Sequence, residues 1–370
     1  MSKIVFILKG KTHPRCIKRI KEFIANRYEV DVYAFERVEG DEREIPYECN
    51  VIGRFSNETP YWKRLGYMRK CMAPVIRKHL NDDCVFYLFG LDTALVARTI
   101  SHKFKYIYEE SDLNHTYISV SVIKNFLESI DKKISKNSIM TVYTSEGFAI
   151  YHYGNKRPQN VFIIPNRLEK SVLDYPMLPS KPIDLNHLSI GFVGKIRFES
   201  IMAFAEHIVK NYPQHEFHFF GTPFYTAEKK CEELKAFSNC HFHGLFSSPK
   251  DLPQIYSKID LVLSTYDLKY ENVKYAEPNK LYESLYFETP IIVTEGTFLG
   301  EQVKKFNSGY TVNPLDNNSI DKFLSKLTIE SINIKINSMK KIPKEFSINS
   351  NKEFFNKVAS IVNSREYNDK

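Results

Sequence analysis

Tyr275-Ala276-Glu277-Pro278-Asn279-Lys280-Leu281-Tyr282-Glu283-Ser284-Leu285-Tyr286-Phe287-Glu288-Thr289-Pro290-Ile291-Ile292-Val293 reads as loop, short helix, tight turn and buried strand. Pro278 suits the first helical turn, where its missing N–H costs nothing, and Asn279 beside it suits the cap. Leu281 and Leu285 share one face at i and i+4. Lys280, Glu283 and Phe287 fall on the adjoining face. Thr289-Pro290 stops the helix. Ile291-Ile292-Val293 has the apolar, β-branched character of a central parallel strand.

Lys280 and Glu283 lie at the start of this helix, close to unpaired backbone N–H groups and the positive end of the dipole. Phosphate binds well there. An ionised carboxylate accepts two hydrogen bonds from a vicinal diol such as a ribose. An i,i+3 salt bridge on a solvated face fits the same spacing, and spacing alone leaves both readings open.

A chain of 370 residues suggests two domains. Apolar and charged fractions are those of an ordinary globular protein. No apolar run reaches the roughly 18 residues of a spanning helix. The opening Met1-Ser2-Lys3-Ile4-Val5-Phe6-Ile7-Leu8 is too short for a signal peptide and reads as a first strand. The six cysteines are scattered, with no C-x-x-C, so reduced cytosolic thiols are expected. The net charge of +8 suits anionic partners: nucleotide diphosphates, lipid phosphates or an anionic membrane face. No motif supports nucleic acid as a partner.

Ile4–Leu8, a helix over Cys16–Asn26 and the alternating Tyr28–Phe35 make a βαβ start. The loop Lys9-Gly10-Lys11-Thr12-His13-Pro14-Arg15 between them lacks G-x-G-x-x-G, which argues against a dinucleotide site at the first turn. Tyr61–Leu80 is a basic helical segment with Lys63, Arg64, Arg69, Lys70, Arg77 and Lys78 beside Trp62, Leu65, Met68, Met72, Val75 and Ile76. It suits an anionic membrane surface and, equally, the cover of a sheet. Further strands are expected at Cys84–Gly90 and Lys105–Tyr108. The second ends in Glu109-Glu110-Ser111-Asp112-Leu113-Asn114-His115. Carboxylates at the end of a parallel strand sit where α/β proteins do chemistry, so Glu110, Asp112 and His115 are catalytic candidates. Ser111 or Asp112 also suits the cap of a helix running to Lys132.

The next strand, at Ile139–Thr144, is followed by Ser145-Glu146-Gly147-Phe148, a helix, Val161–Ile164 and Pro165-Asn166. The proline-rich, aperiodic stretch 173–185 is the expected linker. Beyond it, Leu188-Ser189-Ile190-Gly191-Phe192-Val193-Gly194-Lys195-Ile196-Arg197 is a strand ending in a small-residue turn. Gly194 allows close backbone approach to a phosphate, which Lys195 and Arg197 would neutralise. His241 and His243 alternate along Cys240–Gly244, so one of them is expected to face the site, and without a third ligand no metal is expected there. Gly296 and Thr297 open a helix with candidate phosphate-binding N–H groups.

Pro278-Asn279-Lys280-Leu281-Tyr282-Glu283-Ser284-Leu285 followed by Thr289-Pro290-Ile291-Ile292-Val293 resembles the nucleotide-sugar motif of GT-B glycosyltransferases. The similarity is closest to the family 4-like enzymes of bacterial capsule, O-antigen and exopolysaccharide assembly. The turn at 191–197 is similar to their pyrophosphate-binding turn. The resemblance implies an α/β fold of two doubly wound Rossmann-like domains facing a cleft. The expected divisions are an acceptor-side domain at 1–172, the linker at 173–185, a nucleotide-sugar domain at 186–344, and a terminal segment at 345–370 returning to the first domain. It implies that Glu283 binds the ribose and that Gly194, Lys195, Arg197, Asn279, Lys280, Gly296 and Thr297 surround the donor. It also sets His13 and Arg15 on the acceptor or donor-phosphate side. Relatives carry a second glutamate eight positions before the first; that position here is Tyr275, and Glu277 is two residues out of register.

The implied reaction is transfer of a sugar from a nucleotide diphosphate sugar to a hydroxyl of a glycan or lipid-linked acceptor. It is expected to be retaining and metal-independent, with no cofactor beyond the nucleotide sugar as co-substrate. The implied place is the cytoplasm, on the inner face of the membrane. Two other readings fit the same fold: a nucleotide-sugar epimerase, and a non-catalytic sugar-binding or partner protein.

Overall fold

The computed structural model describes residues 3–38, 44–56, 58–179 and 181–363. The chain forms two compact units. The first is Met1–Ile164 together with Asn351–Lys370, and the second is Pro165–Ser350. The stretch 173–185 falls in the second unit. Glu366-Tyr367-Asn368-Asp369-Lys370, expected as a frayed tail, lies outside the described residues.

The first unit is built on a wholly parallel seven-stranded sheet. Its strands are β1 (Lys3–Leu8), β2 (Glu29–Arg37), β3 (Asn50–Phe55), β4 (Cys84–Phe89), β5 (Tyr106–Glu110), β6 (Met140–Tyr143) and β7 (Val161–Ile163). Their order is β3-β2-β1-β4-β5-β6-β7. β1 and β4 carry continuous apolar or aromatic runs, and β5 and β6 are buried along their whole length, because helices cover both faces of a parallel sheet. Phe6, Phe23, Tyr87, Phe354 and Phe355 interlock edge to face on one side, so the C-terminal helix Lys352–Asn363 completes this core.

The second unit repeats the plan with six parallel strands: β8 (Ser189–Val193), β9 (Glu216–Phe220), β10 (Cys240–Gly244), β11 (Leu261–Ser264), β12 (Ile291–Thr294) and β13 (Gly309–Val312), ordered β10-β9-β8-β11-β12-β13. The chain order reverses between β1 and β4 in the first sheet and between β8 and β11 in the second. Ligands of open parallel sheets bind at such points, outside the carboxyl ends of the strands.

The structure adds one strand to the expected elements and corrects one expected cap. β3 was not anticipated: it is an edge strand with one buried residue, Phe55, so it lacks an apolar run. In Tyr61–Lys78, Met68, Met72, Val75 and Ile76 pack into the core and Arg64 turns in toward Asp92, leaving Trp62, Lys63, Arg69, Lys70, Arg77 and Lys78 as the outer face. No described helix is long and apolar enough to cross a membrane. The acidic loop caps no helix. A short 3₁₀ turn at Asn114–Tyr117 follows it, and the next helix, Ser121–Asn137, starts after Val120 without a side-chain cap.

The ends of β8 and β9 are locked by backbone contact. Gly194 N–H donates to Phe220 O at 2.8 Å, and a Cβ on Gly221 (φ +137°) would lie 2.0 Å from Gly194 O. Gly221→Ala combines that clash with a backbone angle hostile to L side chains. It should cost at least about 2 kcal/mol, read as a lower midpoint in chemical denaturation. An unchanged midpoint would show that the turn relaxes freely.

Candidate functional site

Helix Asn279–Phe287 follows the switch point of the second sheet. Its cap position is Pro278, in an extended conformation, and Asn279 is its first helical residue, exposed to solvent. The cap expected at Asn279 therefore shifts by one residue. At the other end the helix stops at Phe287, before the proline, because Glu288 adopts the left-handed conformation. Lys344 Nζ anchors Glu288 at 2.6 Å, and Ser284 Oγ donates to Thr289 O at 2.7 Å. Leu281 and Leu285 are buried as expected and set the rotation of the helix.

That rotation decides where the two functional candidates point. Lys280, in the first turn, reaches over the end of β8: its Nζ lies 4.7 Å from the Phe192 ring centroid and 3.2 Å from where a Cβ on Gly194 would sit. Gly194 has φ +134° and is the one residue type that leaves this space open. Glu283, one turn on, is 6 % exposed, and Tyr256 Oη donates to its Oε2 at 2.8 Å. Oε1 accepts no hydrogen bond from the described residues. Among the described residues no Lys280–Glu283 ion pair forms within 4.0 Å, so the solvated salt bridge is not what the spacing builds. Tyr256 stacks on Phe287 at 4.7 Å, which holds its hydroxyl toward Glu283.

Burial pushes the Glu283 carboxyl above its usual range, while the Lys280 charge and the Tyr256 hydrogen bond pull it back. Glu277 is also buried and is bonded by the Tyr282 hydroxyl, and its backbone carbonyl accepts from Asn166 Nδ2 at 3.1 Å.

Lys195 and Arg197 are exposed just beyond β8. Lys195 Nζ donates to Thr222 Oγ1 at 3.0 Å, and the Arg197 guanidinium lies 4.7 Å from the Phe198 ring centroid. Thr297 Oγ1 is spent on its own helix: it accepts from Gly300 N–H at 3.0 Å and donates to Thr294 O at 2.7 Å. Gly296, with φ +72°, and Thr297 thus offer backbone groups only, at the carboxyl end of β12. Sequence reasoning missed Asp267, which caps helix Glu199–Asn211 by accepting from Glu199 and Ser200 N–H at 3.1 and 2.8 Å. It also missed Tyr256. Nothing in the local sequence links either residue to its partner.

In the first unit, a cavity of about 370 Å³ opens at the carboxyl ends of β1 and β4, with Lys9, Gly10, His13, Gly90, Asp112 and Asn114 among its lining. His13 is exposed, and Arg15 lies half-buried with Nη1 4.0 Å from Glu109 Oε1. Asp92, also unforeseen, takes Lys9 Nζ and the Tyr61 hydroxyl beside this loop.

The structure separates the three catalytic candidates. Asp112 lines the cavity, whereas Glu110 and His115 are inside the protein, at 0 % and 1 % exposure. Glu110 is inside because β5 runs on to it, so Glu109 and Glu110 alternate across the sheet, while His115 is buried from the 3₁₀ turn Asn114–Tyr117. Glu109 takes the Arg19 guanidinium, 3.0 Å from Nε to Oε2, and the Tyr87 hydroxyl. Glu110 Oε2 meets His152 Nε2 at 3.0 Å, and His115 Nδ1 lies 3.4 Å from Asp131 Oδ2. Burial and then the neighbouring Asp131 hold Glu110 well above the carboxylate range, and burial drops His152 to about 4. These are the marks of an internal, desolvated network.

The raised Glu283 value has a stability consequence. The folded chain holds that proton more tightly than the unfolded chain does. The group's contribution is therefore full below the ordinary value of 4.5 and is lost as pH rises through the raised one. Glu283→Gln, which cannot ionise, should be more stable than the native chain toward neutral pH. The gain is about 1.4 kcal/mol for each unit by which the native value is raised. Melting curves of both proteins from pH 4 to 8 test this; parallel curves would show that Glu283 is not desolvated.

Residues 186–345 match the family model Glycosyl transferases group 1. A search among curated proteins found no match. Anabaena HepE, crystallised with UDP and glucose, superposes with TM-score 0.67 at 16 % identity over 97 % of this chain and 100 % of its own. The lipopolysaccharide outer core galactosyltransferase WaaB gives 0.60 at 15 %, over 97 % and 99 %. A putative UDP-N-acetylglucosamine 2-epimerase from Listeria monocytogenes gives 0.60 at 11 %, over 97 % and 96 %. The fold is thus GT-B, and the match to the family model falls within its second unit.

Proposed function

We propose that this protein is a glycosyltransferase that moves a sugar from a nucleotide diphosphate sugar to a hydroxyl of a glycan or lipid-linked acceptor in surface polysaccharide assembly. The observation that carries the reading is one helix, Asn279–Phe287. It puts the Lys280 ammonium over Gly194 at the end of β8 and, one turn later, a buried carboxylate with an unbonded Oε1. Lys280 suits the diphosphate, and Glu283 Oε1 suits a ribose hydroxyl.

In the proposed reaction the bond from the sugar C1 to the phosphate oxygen breaks and the bond to the acceptor oxygen forms. The departing diphosphate gains charge, and Lys280, Lys195, Arg197 and the backbone N–H groups opening Asn279–Phe287 stabilise it. No metal is then needed for that neutralisation. In the retaining course we propose, the leaving phosphate oxygen takes the acceptor proton. Asp112, the one catalytic candidate lining the first unit's cavity, is the base in an inverting course. An anionic lipid surface as a further partner rests on the outward Trp62, Lys63, Arg69 and Lys70.

Thermal shift against UDP-, GDP-, ADP- and CMP-sugars should give a raised midpoint with one nucleotide class. Glu283→Ala should weaken that donor about 10- to 100-fold, the worth of a hydrogen bond to a charged group. A shift with no donor, or one indifferent to Glu283→Ala, would remove the nucleotide site.

Lys280→Ala should lower kcat/KM about 10²- to 10³-fold once an acceptor is found. NMR of the product anomer decides the course of reaction. Retained configuration with Asp112→Asn near native rate supports proton transfer to phosphate, and inversion with loss of activity transfers that role to Asp112.

A further inference from the structure

We propose that Glu216, His218 and His241 form a binding site for a zinc-class divalent cation on the edge of the second sheet. The expectation that His241 and His243 face opposite ways is corrected by strand geometry, since residues two apart share a face. β9 and β10 pair in parallel with His218 directly opposite His241. Glu216, two residues before His218, joins the same face. This is the third ligand that the spacing within β10 could not reveal.

His218 Nε2 lies 3.3 Å from Glu216 Oε2, and His241 Nε2 lies 3.7 Å from Glu216 Oε1. One ligand atom from each of the three residues lies within 4.8 Å of the others. Zinc holds nitrogen and oxygen ligands at about 2.0–2.2 Å, which sets neighbouring ligand atoms roughly 3.4 Å apart. Small rotations of Glu216 and His241, both on the outer surface, reach that spacing.

The support around these residues is that of a metal site. His218 is 9 % exposed, and its Nδ1 lies 3.1 Å from His243 Nε2. With Nδ1–H donating to His243, the lone pair of His218 Nε2 is directed at the Glu216 carboxylate. A histidine ligand oriented through its second nitrogen is the usual arrangement. His241 Nε2 is shielded from solvent and makes no hydrogen bond among the described residues. Its ring stacks on His218, with centroids 4.8 Å apart. Two imidazoles and one carboxylate suit zinc and its neighbours better than magnesium or calcium. The ion would clip edge strand β10 to β9. The donor candidates sit at the carboxyl ends of β8, β11 and β12, so its role is structural and independent of the sugar transfer.

The test is titration of the tag-free, metal-stripped full chain with zinc against a chromophoric chelator, beside thermal melts. One equivalent should bind and raise the melting midpoint, with no competition from equimolar magnesium. Glu216→Gln and His241→Ala, both at solvent-accessible positions, should keep the metal-free midpoint and weaken zinc at least about 10-fold. His243→Ala should weaken it through His218, and His102→Ala, in the first unit, should not. Sub-stoichiometric binding, or full affinity in both Glu216→Gln and His241→Ala, would reduce the cluster to stacked imidazoles and overturn the proposal.

Discussion

The second unit depends on a carboxylate kept out of water. An ionised Glu283 at 6 % exposure costs several kcal/mol of lost hydration, and one hydroxyl and one nearby ammonium offset only part of it. The chain tolerates that because the helix carrying it is fixed from three sides. Leu281 and Leu285 bury its inner face, Ser284 ties its last turn to Thr289, and Glu288 ends it in a left-handed residue clamped by Lys344. The same anchoring aims Lys280 at Gly194. A helix turned by one position would take the lysine off Gly194 and the glutamate off Tyr256.

The first unit treats its acids differently. β5 carries two glutamates side by side, one to each face of the sheet, and each is neutralised locally. Glu109 meets a guanidinium and a phenol, and Glu110, its carboxyl held high by burial, meets His152. Burying charge this way requires a partner for each group. The buried acids therefore belong to the interior, and the loop beyond them leaves Asp112 at the cavity.

The strands were legible where both faces are covered, because a buried parallel strand must be apolar on both sides; Cys84–Phe89 and Ile291–Thr294 show this directly. β3 was not legible, since an edge strand buries too little to leave a pattern. The tight turn after β8 was legible through Gly194, because a positive φ selects glycine. Tyr256 and Asp267 were not: their partners are far along the chain, and only folding brings them together. The burial of Glu110 was not legible, because it turns on two residues of strand length that move a side chain from a loop into the core.

By itself the sequence determined two units with parallel strands, and a helix that opens with a lysine and a glutamate one turn apart. Those follow from apolar periodicity and from glycine and proline, which act within a few residues. The tertiary structure alone decided which charges meet solvent. It set Glu283 against Tyr256, Glu110 against His152, and Glu216 beside His218 and His241. Such pairings are contacts between neighbouring strands and helices, and their energies depend on distance and burial, which the order of residues along the chain does not carry.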